Sequence, residues 1–167
     1  CEGLYVDFRR RGILEQNAVT RQRCRDPMFT YVCLGSTDLA RSARFYDAVL
    51  GALGHSRCDT SGEPAWDGWI GWGTYADGGR TELALWLCRP FDGAPASVGN
   101  GTMVALSASS WRQVDEFHGA ALANGGSSEG APGLRPQYGA DFFAAYVRDP
   151  DGNKLAAVCR GRTAGPA

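Results

Sequence analysis

Two stretches of the sequence carry side chains suited to holding a small molecule. One crowds Trp66, Trp69, Trp72 and Tyr75 together, with Gly68, Gly71 and Gly73 between them. Such a run offers either a flat aromatic wall for a ligand to stack on or a strand with aromatic ribs. The other is the Gly/Pro-rich run Gly130-Ala-Pro-Gly-Leu-Arg-Pro-Gln-Tyr-Gly139, which reads as an ordered loop and holds Arg135 and Tyr138. An arginine fork grips a carboxylate or phosphate through two parallel hydrogen bonds, although it pairs equally well with a surface acid. Other chemistry-bearing types are sparse. There are two histidines, His55 and His118, which limits histidine-based metal chemistry, and both read as surface or helix-packing residues. Six cysteines are present and none forms a CxxC pair, so a zinc ribbon or a thioredoxin-type motif has no support. Buried free thiols are the expectation, because a chain of this length builds its own core without a disulfide framework. Gly126-Ser-Ser-Glu-Gly130 spells a nucleophile elbow. It follows a helix pattern, however, and no histidine comes after it, so the hydrolase order fails.

These residues need a scaffold, and the composition bounds it. At 167 residues the chain holds one domain's worth of sequence, and 44% apolar with 21% charged residues marks a globular protein. A net charge of −1 gives no footprint for nucleic acid or an acidic membrane surface. No apolar run approaches the roughly 20 residues that span a bilayer. No secretory signal is visible, so a cytoplasmic setting is expected. Residues 1–27 stand apart, with six arginines against four acids. They read as an N-terminal extension, flexible or an arm, and a domain over 28–160 and a tail over 161–167 follow.

Within that domain the chain repeats itself. Residues 30–54 align with 102–126 at an offset of 72 without a gap. Thr30/Thr102, Val32/Val104, Leu34/Leu106, Phe45/Phe117, Ala48/Ala120, Leu50/Leu122 and Gly54/Gly126 are identical, and the same offset carries Ala84 onto Ala156. A repeat of this kind is one supersecondary unit used twice. Each copy opens with an apolar, β-branched run, near 29–34 and 102–107. A capped helix follows, with Leu39, Phe45, Val49 and Leu50 inward in the first copy and Val114, Phe117, Ala121 and Leu122 in the second. Three further strands are expected near 55–59, 66–74 and 81–88, then near 127–131, 141–148 and 153–159. Asp149-Pro150-Asp151-Gly152 is a tight turn. The fold class is α+β: two tandem β-α-β-β-β modules, 28–89 and 100–160, forming eight strands of curved sheet around a cleft.

The carrying residues are Met28-Phe-Thr-Tyr-Val-Cys-Leu-Gly35, Asp38-Leu39 with Arg41-Ser42 and Phe45-Tyr46, Leu50-Gly51, and Asp149-Pro-Asp-Gly-Asn153-Lys-Leu155. Through them the chain resembles the vicinal oxygen chelate superfamily, the glyoxalase/bleomycin-resistance/dioxygenase group. The resemblance implies a cleft between two modules and, in metal-dependent members, ligands on the first and last strand of each module. The matching positions here are Tyr31, Ala84, Met103 and Ala156. Alanine supplies no donor atom, and methionine is a soft ligand that suits copper(I). With Glu82 as the only nearby carboxylate, too few ligands remain, so no metal and no other cofactor is expected. By strand alternation Tyr31 and Cys33 share a face with Glu82, Ala84 and Trp86, and Met103 shares one with Ala156. The candidate ligand-binding residues are therefore Tyr31, Cys33, Trp72, Ala84, Trp86, Met103, Arg135, Tyr138 and Ala156. The expected function is a metal-independent binder of a small aromatic or anionic molecule. The alternative is a metal-independent lyase or isomerase using Tyr31 or Glu82 as acid or base. A homodimer is expected, with no nucleic-acid or membrane partner.

Overall fold

A computed structural model describes residues 28–61 and 63–161. The extension 1–27 and all but the first residue of the tail lie outside the described residues. Among those described, no helix is long and apolar enough to cross a membrane.

The first module comprises β1 (Tyr31–Gly35), α1 (Leu39–Ala52), β2 (Trp69–Ala76) and β3 (Thr81–Cys88). The second comprises β4 (Val104–Ser107), α2 (Trp111–Ala123), β5 (Ser127–Leu134), β6 (Phe143–Arg148) and β7 (Lys154–Cys159). Both helices start where a short polar side chain satisfies a free amide of the first turn. Asp38 accepts from the Arg41 N–H at 3.0 Å, and Ser110 from the Gln113 N–H at 3.2 Å. Both inward faces form as the spacing predicts, except that Leu122 is 46% exposed. The helix stop in the second copy falls one residue early: Gly125, not Gly126, takes the left-handed conformation, at φ +88°.

The strands form two sheets, in the orders β1-β3-β2 and β4-β7-β6-β5, with β1 parallel to β3 and β4 parallel to β7. Among the described residues seven strands form where eight are expected. The segment near 55–59 contributes only an isolated bridge between Arg57 and Trp72. That bridge carries two backbone hydrogen bonds, from Cys58 N–H to Gly71 O at 2.8 Å and from Gly73 N–H to Ser56 O at 3.0 Å. The predicted loop after residue 130 is strand as far as Leu134. β5 lies at a sheet edge, where Pro132 is tolerated, and its pairing with β6 shifts register around it.

α1 and α2 pack on each other, and one core joins the modules through Leu34, Leu85, Leu87, Val147, Leu155 and Ala157 with the helix residues Phe45, Val49, Val114 and Phe117. The Asp149–Asn153 turn of module two docks on the start of α1. Asp151 accepts from Ser36 Oγ (3.0 Å), Ser42 Oγ (2.8 Å), the Thr37 N–H (3.2 Å) and Arg41 Nη2 (2.8 Å). Asp149 accepts from the buried Tyr46 hydroxyl at 2.8 Å and from Asn153 Nδ2 at 2.9 Å. Burial and the Asp149 carboxylate hold the Tyr46 phenol well above its usual range. Arg41, Ser42, Tyr46, Asp149, Asp151 and Asn153, which are among the residues that carry the family resemblance, thus fasten the two modules together.

Candidate functional site

One face of each sheet is turned to the helices, which leaves the two opposite faces as candidate ligand surfaces. They differ sharply. On module one the face is filled by its own aromatics. Trp86, fully buried, stacks on Trp66 at 4.2 Å between ring centres, with the planes 10° apart. Tyr75 meets Trp86 edge-on at 5.6 Å, and Trp69 meets Trp66 edge-on at 5.6 Å. Two carboxylates tie the cluster down. Glu82 accepts from Trp86 Nε1 at 2.7 Å, and Glu63 from the Tyr75 hydroxyl at 2.8 Å. Gly71 is required opposite, since a Cβ there would enter the Trp86 ring.

Module two leaves its face open. A hollow of about 1160 Å³ lies on it, floored by β4 and β7 and walled by β5, β6 and the turn after β5. Met103, Val158, Phe142, Tyr138 and Tyr146 give it apolar and aromatic surface. Arg135, Lys154 and Arg160 bring positive charge. The Arg135 guanidinium sits 5.5 Å from the centre of the Tyr146 ring and that of Arg160 lies 4.6 Å from the Phe142 ring. Arg135 is fixed by donating to the backbone carbonyls of Ala131 (2.7 Å) and Leu134 (3.1 Å). Glu129 is the carboxylate in the lining, and it already accepts from Arg148 at 2.7 Å and from Lys154 at 3.1 Å. Those hydrogen bonds hold its pKa below the usual carboxylate value. Among the described residues neither Arg135 nor Arg160 forms an ion pair.

The candidate residues named from the sequence therefore separate into three places. Met103, Arg135 and Tyr138 line the hollow. Ala156 lies beneath it, fully buried between Ala105 and Tyr146. Tyr31, Cys33, Glu82, Ala84 and Trp86 belong to the module-one face, with Tyr31 half exposed at the edge strand and Trp86 sealed inside. Trp72 is on neither face. It is 2% exposed on the helix side, packs on Tyr46, and donates from Nε1 to Asp47 at 3.1 Å. The Arg57 guanidinium holds the same Asp47 carboxylate with two 2.7 Å hydrogen bonds, keeping its pKa below normal. Trp72→Phe should lower stability by about 1 kcal/mol, the worth of the lost hydrogen bond, and leave ligand affinity unchanged in a titration of the folded variant.

Sequence reasoning missed Tyr146, Phe142, Lys154 and Arg160. Parity along β7 carries the signal for two of them, because Lys154, Ala156, Val158 and Arg160 point the same way on a strand. The four-position ligand set inferred from the resemblance also does not assemble as the repeat suggests. Tyr31 lies opposite Ala84, but it is Ala105, not Met103, that lies opposite Ala156. Pairing of first and last strands is thus shifted by two residues between modules. Among the described residues no group of three or more His, Cys, Asp or Glu is placed to hold a metal ion, and the four positions offer a phenol, a thioether and two methyl groups. A divalent metal does not fit this donor set.

A tandem pair of α+β modules, β-α-β-β followed by β-α-β-β-β among the described residues, defines a structural class. The chain belongs to the Glyoxalase/Bleomycin resistance protein/Dioxygenase superfamily, whose family model matches residues 29–157. It is similar to a glyoxalase/bleomycin resistance protein from Albidiferax ferrireducens T118, with 36% identity over 80% of this chain and 99% of that one and a TM-score of 0.66. A glyoxalase-related enzyme from Fulvimarina pelagi shares the fold at 20% identity over 79% and 87% of the two chains, with a TM-score of 0.57. A lactoylglutathione lyase from Agrobacterium tumefaciens does so at 19% identity over 80% and 95%, with a TM-score of 0.52. No protein of curated function matches the chain.

Proposed function

We propose that this protein is a metal-independent member of its superfamily that binds a small aromatic anion in the module-two hollow. One observation carries the reading. Arg135 and Arg160, which have no carboxylate partner among the described residues, flank a pocket of mixed lining in which Tyr138, Phe142 and Tyr146 give aromatic surface beside the polar Ser107 and Gln137. An arginine with no carboxylate partner among the described residues, set beside stacking surface, suits an anionic group on a flat body. Arg135 is held by backbone carbonyls, so little side-chain freedom is lost when it meets a ligand. Glu82 and Tyr31, the acid–base candidates, lie on the opposite module, which favours binding over catalysis in this hollow. The expected homodimer and the cytoplasmic setting belong to the same proposal, and sedimentation of the purified full chain tests the former.

Calorimetric titration with 1-naphthoate and its neutral isostere 1-naphthylmethanol tests the chemistry. The carboxylate should bind at least about tenfold tighter, a difference of ~1.4 kcal/mol. Arg135→Met should erase that preference without changing the unfolding midpoint by more than a small amount. Equal affinity for the two probes in the unmodified protein would contradict the assignment.

A further inference from the structure

The module-one face holds a second piece of chemistry that ligand binding does not use. Cys33 on β1 and Cys88 on β3 point to the same side of the sheet, one register step apart diagonally: Cys33 is opposite Trp86, and Cys88 is opposite Gly35. Their sulfurs stand 3.5 Å apart. Cys33 is exposed on an edge strand, whereas Cys88 is buried.

We propose that Cys33 and Cys88 form a reversible redox pair, in which a hydroperoxide oxidises Cys33 and Cys88 closes a cross-strand disulfide. The division of roles follows from access. Of the two sulfurs Cys33 is the one exposed to an oxidant in solution, and Cys88, 3.5 Å away, is in place to resolve what forms on it. In the first step the Cys33 thiolate attacks one peroxide oxygen, the O–O bond breaks, and hydroxide leaves, giving a sulfenic acid. In the second the Cys88 sulfur attacks the Cys33 sulfur, the S–O bond breaks, and water leaves. Overall two thiols and one hydrogen peroxide give one disulfide and two waters, with one electron lost from each sulfur. A bonded pair needs a separation of about 2.05 Å, so the sulfurs must close by roughly 1.5 Å. β1 is joined to the sheet along one side only, which leaves it free to make that adjustment. Desolvation of the inward-turned Cys33 sulfur, and the Cys88 thiol beside it, push the Cys33 pKa up to about 12. Thiolate is therefore scarce at neutral pH, which makes the pair slow to oxidise without altering where the equilibrium lies.

The test uses the full chain, reduced and then exposed to hydrogen peroxide. Free thiols are alkylated afterwards, and the protein is digested without reductant for mass spectrometry. The expected product is one peptide joining Cys33 to Cys88, lighter by about 2 Da than the two thiol peptides together and released by dithiothreitol. In Cys33→Ser, a change at an exposed position, that product should vanish and Cys88 should remain a free thiol. In Cys88→Ala, Cys33 should instead be trapped by dimedone as the sulfenic acid. The proposal is overturned if Cys33 proceeds to sulfinic acid or pairs with another cysteine while Cys88 stays free. Persistence of both as thiols after prolonged exposure overturns it equally.

Discussion

Asp149→Ala is expected to remove about 3–5 kcal/mol of folding stability, since hydrogen bonds to a charged acceptor are worth roughly 1.5–3 kcal/mol each. Asp149 is 4% exposed and accepts from the Tyr46 hydroxyl, from both nitrogens of Asn153 and from the Asp151 N–H. The substitution leaves the Tyr46 hydroxyl buried in the α1 core without its acceptor. Urea unfolding followed by circular dichroism measures the loss, and a midpoint within error of the unmodified protein would show that the turn does not fasten the modules. Its neighbour gives the junction an acid limit. Burial opposes ionisation of Asp151, but hydrogen bonds from Ser42, Thr37 and Ser36, together with the Arg41 charge, outweigh it and lower its pKa. A carboxylate stabilised in this way contributes fully above the unfolded-state pKa of about 3.9. The contribution is lost as pH falls through the lower folded-state value. Stability should therefore drop with acid below about pH 4, and Asp151→Asn should flatten that limb while lowering the neutral-pH plateau.

Trp86→Ala is expected to cost a comparable ~3–5 kcal/mol, the usual range for truncating a fully buried aromatic. The stack on Trp66, the edge contact with Tyr75 and the hydrogen bond to Glu82 all disappear with it. Binding of 1-naphthoate should persist in the folded fraction at unchanged affinity, because none of these residues lines the module-two hollow. Thermal unfolding and calorimetry on the same sample separate the two effects. A large loss of affinity with the fold intact would place the ligand on module one instead.

The repeat at an offset of 72 made most of the scaffold legible. It located both helices and the order of strands within each module, because matched apolar positions keep their parity along a strand. It could not reveal strand pairing. Identities such as Val32/Val104 and Leu34/Leu106 place residues on equivalent strands, whereas the two-residue shift that puts Ala105 opposite Ala156 is set by backbone register. The segment near 55–59 makes a single bridge, at Arg57, for a similar reason, since pairing length is set by backbone register and not by residue type. Trp66, Trp69 and Trp72 looked like one wall, yet residues three apart on a strand fall on opposite faces. Trp72 accordingly faces the helices, and Trp66 reaches back over Trp86 from its own short turn. Arg135 and Tyr138 were identifiable by type. Their companions Tyr146 and Arg160 were not, because only the assembled sheet brings β6 and the end of β7 beside that turn.

Amide chemical-shift mapping during a 1-naphthoate titration distinguishes the plugged face from the open one. Shifts should concentrate at residues 103–108, 129–138, 142–146 and 154–160, with 66–75 and 82–86 unmoved. Shifts centred on Trp66, Glu82 and Trp86, with β4 and β7 silent, would contradict the module-two assignment.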